Sequence, residues 1–171
     1  MAKKDLLMYQ QTTNEMRSWS IIVGTLLCAM VLTLLPMPTW VLAFRPAWVL
    51  LVLIFWGMVL PGRISLTLAW ILGLFLDVLN GTLLGEHALA MTAIIYLVAR
   101  LASQLLMFTL FQQGMAVLLL VLFYQFILFC IQGFLGDLSE GWLYWLPAFT
   151  SMLLWPWVFI IMRGWYRRFE A

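Results

Sequence analysis

The segment GMAVLLLVLFYQFILFCIQGFL, residues 114–135, contains no charged residue and is long enough to cross the hydrocarbon core of a bilayer as a helix. The rest of the chain has the same character, because 65% of its 171 residues are hydrophobic and only 9% are charged. A soluble domain carries about 25% charged residues. The sequence therefore predicts an integral membrane protein.

Other apolar segments of this kind alternate with proline, glycine and charged residues, which end helices. We predict an all-α polytopic membrane protein, a single domain of residues 1–171 with six transmembrane helices in a compact bundle. The predicted spans are 19–35, the stretch from about 40 to 60, 64–79, 87–106, 114–135 and 142–162. The second and third spans are short for a crossing. A five-span alternative that merges two short helices therefore stays open.

The distribution of basic residues predicts the orientation. Six alternating spans place eight of the nine basic residues on one side of the membrane and only Arg45 on the other. The eight are Lys3, Lys4, Arg17, Arg63, Arg100, Arg163, Arg167 and Arg168. Loops rich in lysine and arginine remain in the cytoplasm. We therefore expect both termini, residues 1–18 and 163–171, to be cytoplasmic and to flank the bundle of residues 19–162.

Two charged residues stand in apolar surroundings on the outer side, Arg45 and Asp77. Arg45 precedes Pro46, which suits the first turn of a helix, so the arginine lies at the positive end of a helix dipole. Charges near the membrane interior usually pair, and we expect an Arg45–Asp77 ion pair. Separate solvation of the two side chains is the alternative. A proton relay through Asp77 is disfavoured, because the spans contain almost no other titratable group.

Small residues surround Asp77 in the sequence. Asn80 and Gly81 end the third span, and Gly85 permits the turn into the fourth. Ala69 and Gly73 are four residues apart, a spacing that lets another helix approach closely. We expect this pair to serve internal packing or to form a docking ridge for a partner.

No pattern for catalysis or metal binding occurs in the chain. Cys28 and Cys130 lie in apolar segments, where we expect buried thiols without a disulfide. His87, beside Glu86, is expected to be a solvated or helix-capping residue. We expect Gln125 to hydrogen-bond to a neighbouring helix. The sequence therefore predicts no enzyme, no cofactor, no metal and no nucleic-acid binding.

Three segments resemble the MreD family of rod shape-determining proteins of the Gram-negative type. They are FRPAWVLLVLIFWGMVLPGR at 44–63, GLFLDVLNGTLLGEHALAM at 73–91 and LLWPWVFIIMRGWYRRF at 153–169. The resemblance implies a non-enzymatic inner-membrane scaffold of the cell-elongation (Rod) complex, which maintains rod shape and peripheral peptidoglycan synthesis. It also implies a fold like the substrate-binding subunits of energy-coupling-factor transporters.

The partners that the resemblance implies are MreC, a RodA-type glycosyltransferase, a class B penicillin-binding transpeptidase, membrane lipids and, indirectly, MreB. Arg45, Pro46 and residues 77–85 would then shape the outer side, where MreC emerges. The alternative is a small-molecule binding or transport subunit with a polar outer pocket. Its candidate residues are Asp77, Asn80, Thr82, Glu86, His87 and Asp137. An enzyme acting on lipid-linked precursors is a third, weaker hypothesis.

Overall fold

The computed structural model describes residues 19–35, 44–136 and 141–170, and all of its regular structure within these ranges is helical. The helices are α1 (Trp19–Leu34), α2 (Trp48–Val59), α3 (Leu66–Asn80), α4 (Glu86–Met107), α5 (Leu110–Leu135) and α6 (Leu146–Glu170). A 3₁₀ helix, Trp142–Trp145, precedes α6. The prediction of an all-α membrane protein is confirmed.

The helices differ in length. In the described residues α4, α5 and α6 are long and apolar enough to cross a membrane, whereas α1, α2 and α3 are apolar but shorter. The 12 residues of α2 extend about 18 Å at 1.5 Å per residue, which is less than the roughly 30 Å of hydrocarbon in a bilayer. The predicted shortness of the second and third spans is confirmed. Six crossings stay a prediction.

The central helix is α2, whose residues from Val49 to Met58 are all buried. A helix that is hydrophobic on every side belongs in the interior of a bundle. Trp56 donates its indole N–H to the Thr25 hydroxyl of α1 over 2.9 Å, which satisfies the one polar atom of that buried ring. Phe55 packs edge-on against Phe159 of α6. The three helices thereby share one apolar core.

Within the described residues, α3 packs closely against α4. A Cβ atom added to Gly73 would lie 2.3 Å from the Cα atom of Ala88, so only glycine fits between these backbones. Ala69, one turn earlier on α3, is fully buried. Both residues therefore pack against other helices of the same chain. The docking ridge predicted at Ala69 and Gly73 is wrong, because α4 of the same chain occupies that face.

The α5–α6 pair contains a proline inside a helix. Pro156 has no N–H to donate to the Met152 carbonyl, yet α6 continues to Glu170. Gly114 of α5 lies beside Met152, where a Cβ atom would be 3.7 Å from that carbonyl oxygen. The glycine thus lets α5 pack closely at the point where α6 lacks a backbone hydrogen bond.

The two cysteines lie on the surface of the bundle. Cys28 and Cys130 are both free, as expected, but both are exposed. The prediction that they are buried is wrong, because each thiol lies on a helix face that no other described helix covers. In a membrane such a face contacts lipid, so an apolar sequence environment does not distinguish burial in protein from contact with lipid.

Candidate functional site

Asp77 is completely buried in the last turn of α3. It follows Ala69 and Gly73 at four-residue spacing, so its side chain faces the beginning of α4. Its Oδ2 accepts from the Gly85 N–H over 2.8 Å, and its Oδ1 accepts from the His87 N–H over 2.9 Å. A charged side chain in this position is therefore held by donors on the neighbouring helix.

Two side chains complete the coordination of Asp77. The His87 Nδ1 atom lies 2.8 Å from Oδ1, and the Thr82 hydroxyl donates to the same oxygen over 3.2 Å. An ionised carboxylate only accepts hydrogen bonds, so the proton of this His87 contact belongs to Nδ1. Asp77 and His87 form an ion pair when the imidazole is protonated.

The carboxylate of Asp77 caps α4 from the neighbouring helix. The N-cap residue of α4 is Gly85, at φ 105°, which has no side chain to accept from the first turn. The first N–H groups of a helix have no partner within the helix, and an anion there is stabilising by about 0.3–2 kcal/mol. Asp77 supplies both the acceptor and the negative charge. The α3–α4 connection is thereby held in one conformation.

The same residue also ends α3. Gly81 adopts a left-handed φ of 66°, and its N–H donates to the Asp77 carbonyl. The Thr82 N–H donates to that carbonyl over 3.1 Å. Such a glycine is the usual way for a helix to end, because it satisfies free carbonyls of the last turn. Asp77 therefore stabilises both ends of the turn, one with its backbone and one with its side chain.

A second polar contact joins α4 to α5. Glu86, in the first turn of α4, is buried, and Gln132 donates to its Oε1 over 2.6 Å. The ring of Tyr124 on α5 lies edge-on to His87, with 6.1 Å between the centroids. We name Asp77, Thr82, Glu86, His87 and Gln132 the Asp77 cluster. It consists of two hydrogen-bonded groups, Asp77 with Thr82 and His87 and Glu86 with Gln132, and it joins α3, α4 and α5 at one end of the bundle.

The Asp77 cluster differs from the sequence expectations in two respects. His87 was expected to be solvated or capping, but it is mostly buried and bonds to Asp77. Glu86 was named as a candidate for a polar outer pocket, but its carboxylate accepts a hydrogen bond from Gln132 of α5. No group of three or more metal-binding side chains occurs in the described part of the chain. The hydrogen bonds of the cluster connect α3 with α4 and α4 with α5, which is what a structural junction does.

The predicted Arg45–Asp77 pair is wrong. The Arg45 guanidinium donates to the Leu32 carbonyl at the end of α1 over 3.2 Å, and its Nε is buried without a partner. Burial lowers the pKa of the Arg45 guanidinium below its usual value. The helical spacing of α3 directs Asp77 toward α4, whereas Arg45 precedes α2 and faces α1. Pro46 lies two residues before α2, whose N-cap is Ala47.

A cavity of about 300 Å³ lies beside Arg45, between the start of α2, the middle of α5 and the 3₁₀ helix. Tyr124, Gln125 and Tyr144 contribute its other polar walls. Gln125 donates to the Tyr144 carbonyl over 2.9 Å, and the Tyr144 hydroxyl donates to the Gln125 carbonyl over 3.0 Å. The Gln125 Oε1 is buried without a partner. The sequence indicated helix contacts for Gln125 but not a cavity.

The remaining predicted site residues lie in or near the α3–α4 turn. Asn80 and Gly81 are exposed there. Leu83 and Leu84, which the sequence analysis did not select, are 54% and 68% exposed in the same turn. Asp137 lies outside the described residues. Asp77, Thr82, Glu86 and His87 do not line the cavity beside Arg45, and a polar pocket formed by these four stays a prediction.

The chain resembles one group of known proteins. The family model described as rod shape-determining protein MreD matches residues 13–165. The rod shape-determining protein MreD of Haemophilus influenzae is 34% identical over 151 residues, which cover 88% of this chain and 93% of that protein. No solved structure matches the chain, so the expected likeness to energy-coupling-factor subunits has no support. The family acts in cell shape, and the chain belongs to the MreD family of rod shape-determining proteins.

Proposed function

We propose that this protein is a non-enzymatic scaffold of the cell-elongation complex in the bacterial inner membrane. It would maintain rod shape by holding MreC together with the RodA-type glycosyltransferase and the class B transpeptidase. The protein would be linked to MreB filaments only indirectly. Family membership supports the role in cell shape, and the resemblance implies the partners.

The charge distribution supports the orientation in this proposal. Among the described basic residues, Arg63, Arg100, Arg163 and Arg167 lie near the end of the bundle opposite the Asp77 cluster. Loops rich in lysine and arginine remain on the cytoplasmic side of a membrane. The Asp77 cluster would then face the periplasm, and residues 1–18 and 163–171 would be cytoplasmic parts of one multi-pass domain.

One observation supports a partner site, namely the exposed leucines of the α3–α4 turn. Leu83 and Leu84 lie in the turn between α3 and α4 and are exposed. The Asp77 carboxylate fixes this turn by accepting a hydrogen bond from the Gly85 N–H. Exposed apolar residues at a fixed position are typical of interaction sites. A turn that is already ordered loses little conformational entropy on binding. We therefore propose that MreC contacts residues 80–85, which include Asn80 and Gly81.

The experiment replaces the two leucines in cells that depend on this protein. We expect Leu83→Asn with Leu84→Asn to abolish recovery of MreC in pull-downs and to give round cells, at unchanged membrane levels of the protein. The matched control is Leu34→Asn with Leu35→Asn, because these adjacent leucines are also exposed and end α1 near the same end of the bundle. The control cells should stay rod-shaped.

Two outcomes would contradict this proposal at different points. Normal recovery of MreC by the Leu83 and Leu84 variant would reject the turn as the contact. Rod-shaped growth after complete depletion of the protein would reject the role in the elongation complex.

The cavity beside Arg45 supports a second candidate function, the binding of a small molecule. Arg45 Nε offers an unused donor and Gln125 Oε1 an unused acceptor. A ligand with a carboxylate and a neighbouring N–H or O–H group would satisfy both. Native mass spectrometry of the purified protein should then detect a bound small molecule that is lost from Gln125→Leu. Wild-type protein that carries no bound small molecule would contradict this second function.

A further inference from the structure

A second cavity, of about 650 Å³, lies at the end of the bundle that carries the arginines. It is enclosed by the end of α2, the α4–α5 turn and the last turns of α6. Phe55 and Phe159 form buried apolar walls, while Leu106 and Phe108 are partly exposed beside it. This cavity shares no lining residue with the cavity beside Arg45 and contains no member of the Asp77 cluster.

The register of α5 and α6 explains how the cavity forms. Gln113, in the first turn of α5, accepts from the Trp155 indole N–H, which lies near the middle of α6. The helix α5 begins at Leu110, whereas α6 continues for about four turns beyond Trp155. The last turns of α6 therefore extend past the α4–α5 turn. They carry Arg163 and Arg167, one helical turn apart, into the cavity wall.

The polar groups of this cavity favour an anion. Gln113 already donates to the carbonyls of Leu105 and Phe108. Arg163 packs over the Phe159 ring at 5.7 Å, and within the described ranges neither Arg163 nor Arg167 belongs to an ion pair. Both guanidinium groups retain donors for a phosphate, which arginine binds with paired N–H groups.

The apolar walls favour a ligand with a hydrocarbon chain. Leu106 and Phe108 are 48% and 42% exposed at the edge of the cavity. Met107 is 85% exposed next to them and extends the apolar surface along the α4–α5 turn. A free anion would leave this surface uncovered. An amphiphile with a phosphate group would use both the arginines and the apolar edge.

We infer that this cavity binds the phosphate headgroup of an anionic phospholipid. Arg163 and Arg167 contact the phosphate, and the upper part of an acyl chain covers Leu106 and Phe108. Basic pockets between transmembrane helices on the cytoplasmic side bind such lipids. The leaflet follows from the orientation proposed above. Binding itself depends neither on that orientation nor on the scaffold function.

The test measures lipid binding to the purified full-length protein by native mass spectrometry. The probes are phosphatidylglycerol and, as a zwitterionic comparison with no net charge, phosphatidylcholine. We expect Arg163→Gln with Arg167→Gln to weaken phosphatidylglycerol binding by about 30-fold, since each arginine contributes about 5-fold. Phosphatidylcholine should bind more weakly to the wild type and lose less in the variant, because its choline cation offsets the charge of its phosphate. Each single variant should show an intermediate loss, which keeps the test usable if the double variant does not fold.

The matched control is Arg100→Gln with Arg168→Gln. These two arginines are exposed at the same end of the bundle and do not line the cavity. The control removes the same charge and should bind phosphatidylglycerol as the wild type does. An equal loss of phosphatidylglycerol binding in the control would mean that the lipid is attracted by the surface charge in general. That result would overturn the proposed site. Displacement of the lipid by an equal concentration of inorganic phosphate would show a free-phosphate site and overturn the lipid assignment.

Discussion

The carboxylate of Asp77, at the end of α3, accepts a hydrogen bond of 2.9 Å from the backbone N–H of His87, in the first turn of α4. A residue of one helix thereby caps the next helix along the chain. The N-cap of α4 is Gly85, which has no side chain for this purpose. The most buried acid of the described bundle is thus part of its structure.

Replacement of Asp77 should destabilise the protein. Asp77→Ala removes the cap of α4 and leaves the Gly85 N–H without its acceptor. We expect a loss of about 2–4 kcal/mol in the free energy of unfolding, the sum of a lost cap and of unsatisfied buried donors. Asp77→Asn keeps one acceptor oxygen and should lose less. Denaturant titration in detergent measures both, and an unchanged midpoint for Asp77→Ala would contradict the capping role.

Double-mutant cycles should show that Asp77 is coupled to His87, its partner in the structure, and not to Arg45, the partner expected from the sequence. We expect a coupling of about 0.5–3 kcal/mol between Asp77→Asn and His87→Ala, because the side chains are in contact. Asp77→Asn and Arg45→Gln should be additive within about 0.5 kcal/mol. Exchanging the charges, with Arg45→Asp and Asp77→Arg, should therefore fail to restore stability. Recovery of stability by that exchange would contradict the pairing of Asp77 with His87.

Gly73 should tolerate no side chain. The Cβ atom of Gly73→Ala would meet the backbone of Ala88, so α3 and α4 would have to separate. We expect a destabilisation of at least about 1–3 kcal/mol from overpacking. The control is Gly24→Ala on α1, where a Cβ atom meets nothing within 4 Å. Alanine there should be neutral or stabilising by up to about 1 kcal/mol, as thermal unfolding of the two variants would show.

The contact between Glu86 and Gln132 should contribute to the packing of α4 against α5. Gln132→Leu leaves the buried Glu86 without its side-chain donor, and we expect a cost of about 1–3 kcal/mol. Gln104→Leu is the matched control, because Gln104 is exposed on α4 and a surface change is usually within about 0.5 kcal/mol. Equal unfolding midpoints for the two variants would mean that the contact contributes nothing.

The orientation should be visible by thiol labelling. Cys28 and Cys130 are exposed and must first be replaced by alanine. In spheroplasts, a membrane-impermeant maleimide should then label Asn80→Cys, beside the Asp77 cluster. It should label Gln112→Cys, at the α4–α5 turn, only after the membrane is opened. The reverse pattern would invert the proposed topology.

The sequence predicted many residues of the candidate site, but it did not predict which side chains contact each other there. The apolar composition and helix-ending residues such as Asn80 and Gly81 identify a helical membrane protein, because both signals are local. The spacing of Ala69, Gly73 and Asp77 places them on one face of α3. Neither signal indicates which helix packs against that face. Arg45 and Asp77 were expected at the same depth in the membrane, and this led to the wrong prediction that they pair.

The tertiary structure decided which groups surround each polar side chain. The rotation of α3 and the close approach at Gly73 bring Asp77 to the start of α4, since a hydrogen bond requires atoms within about 3 Å and a defined direction. The extension of α6 beyond α5 likewise places Arg163 and Arg167 in one cavity wall. The sequence by itself determined the class of protein and where its helices end. The packing of those helices determined that Asp77 joins two of them.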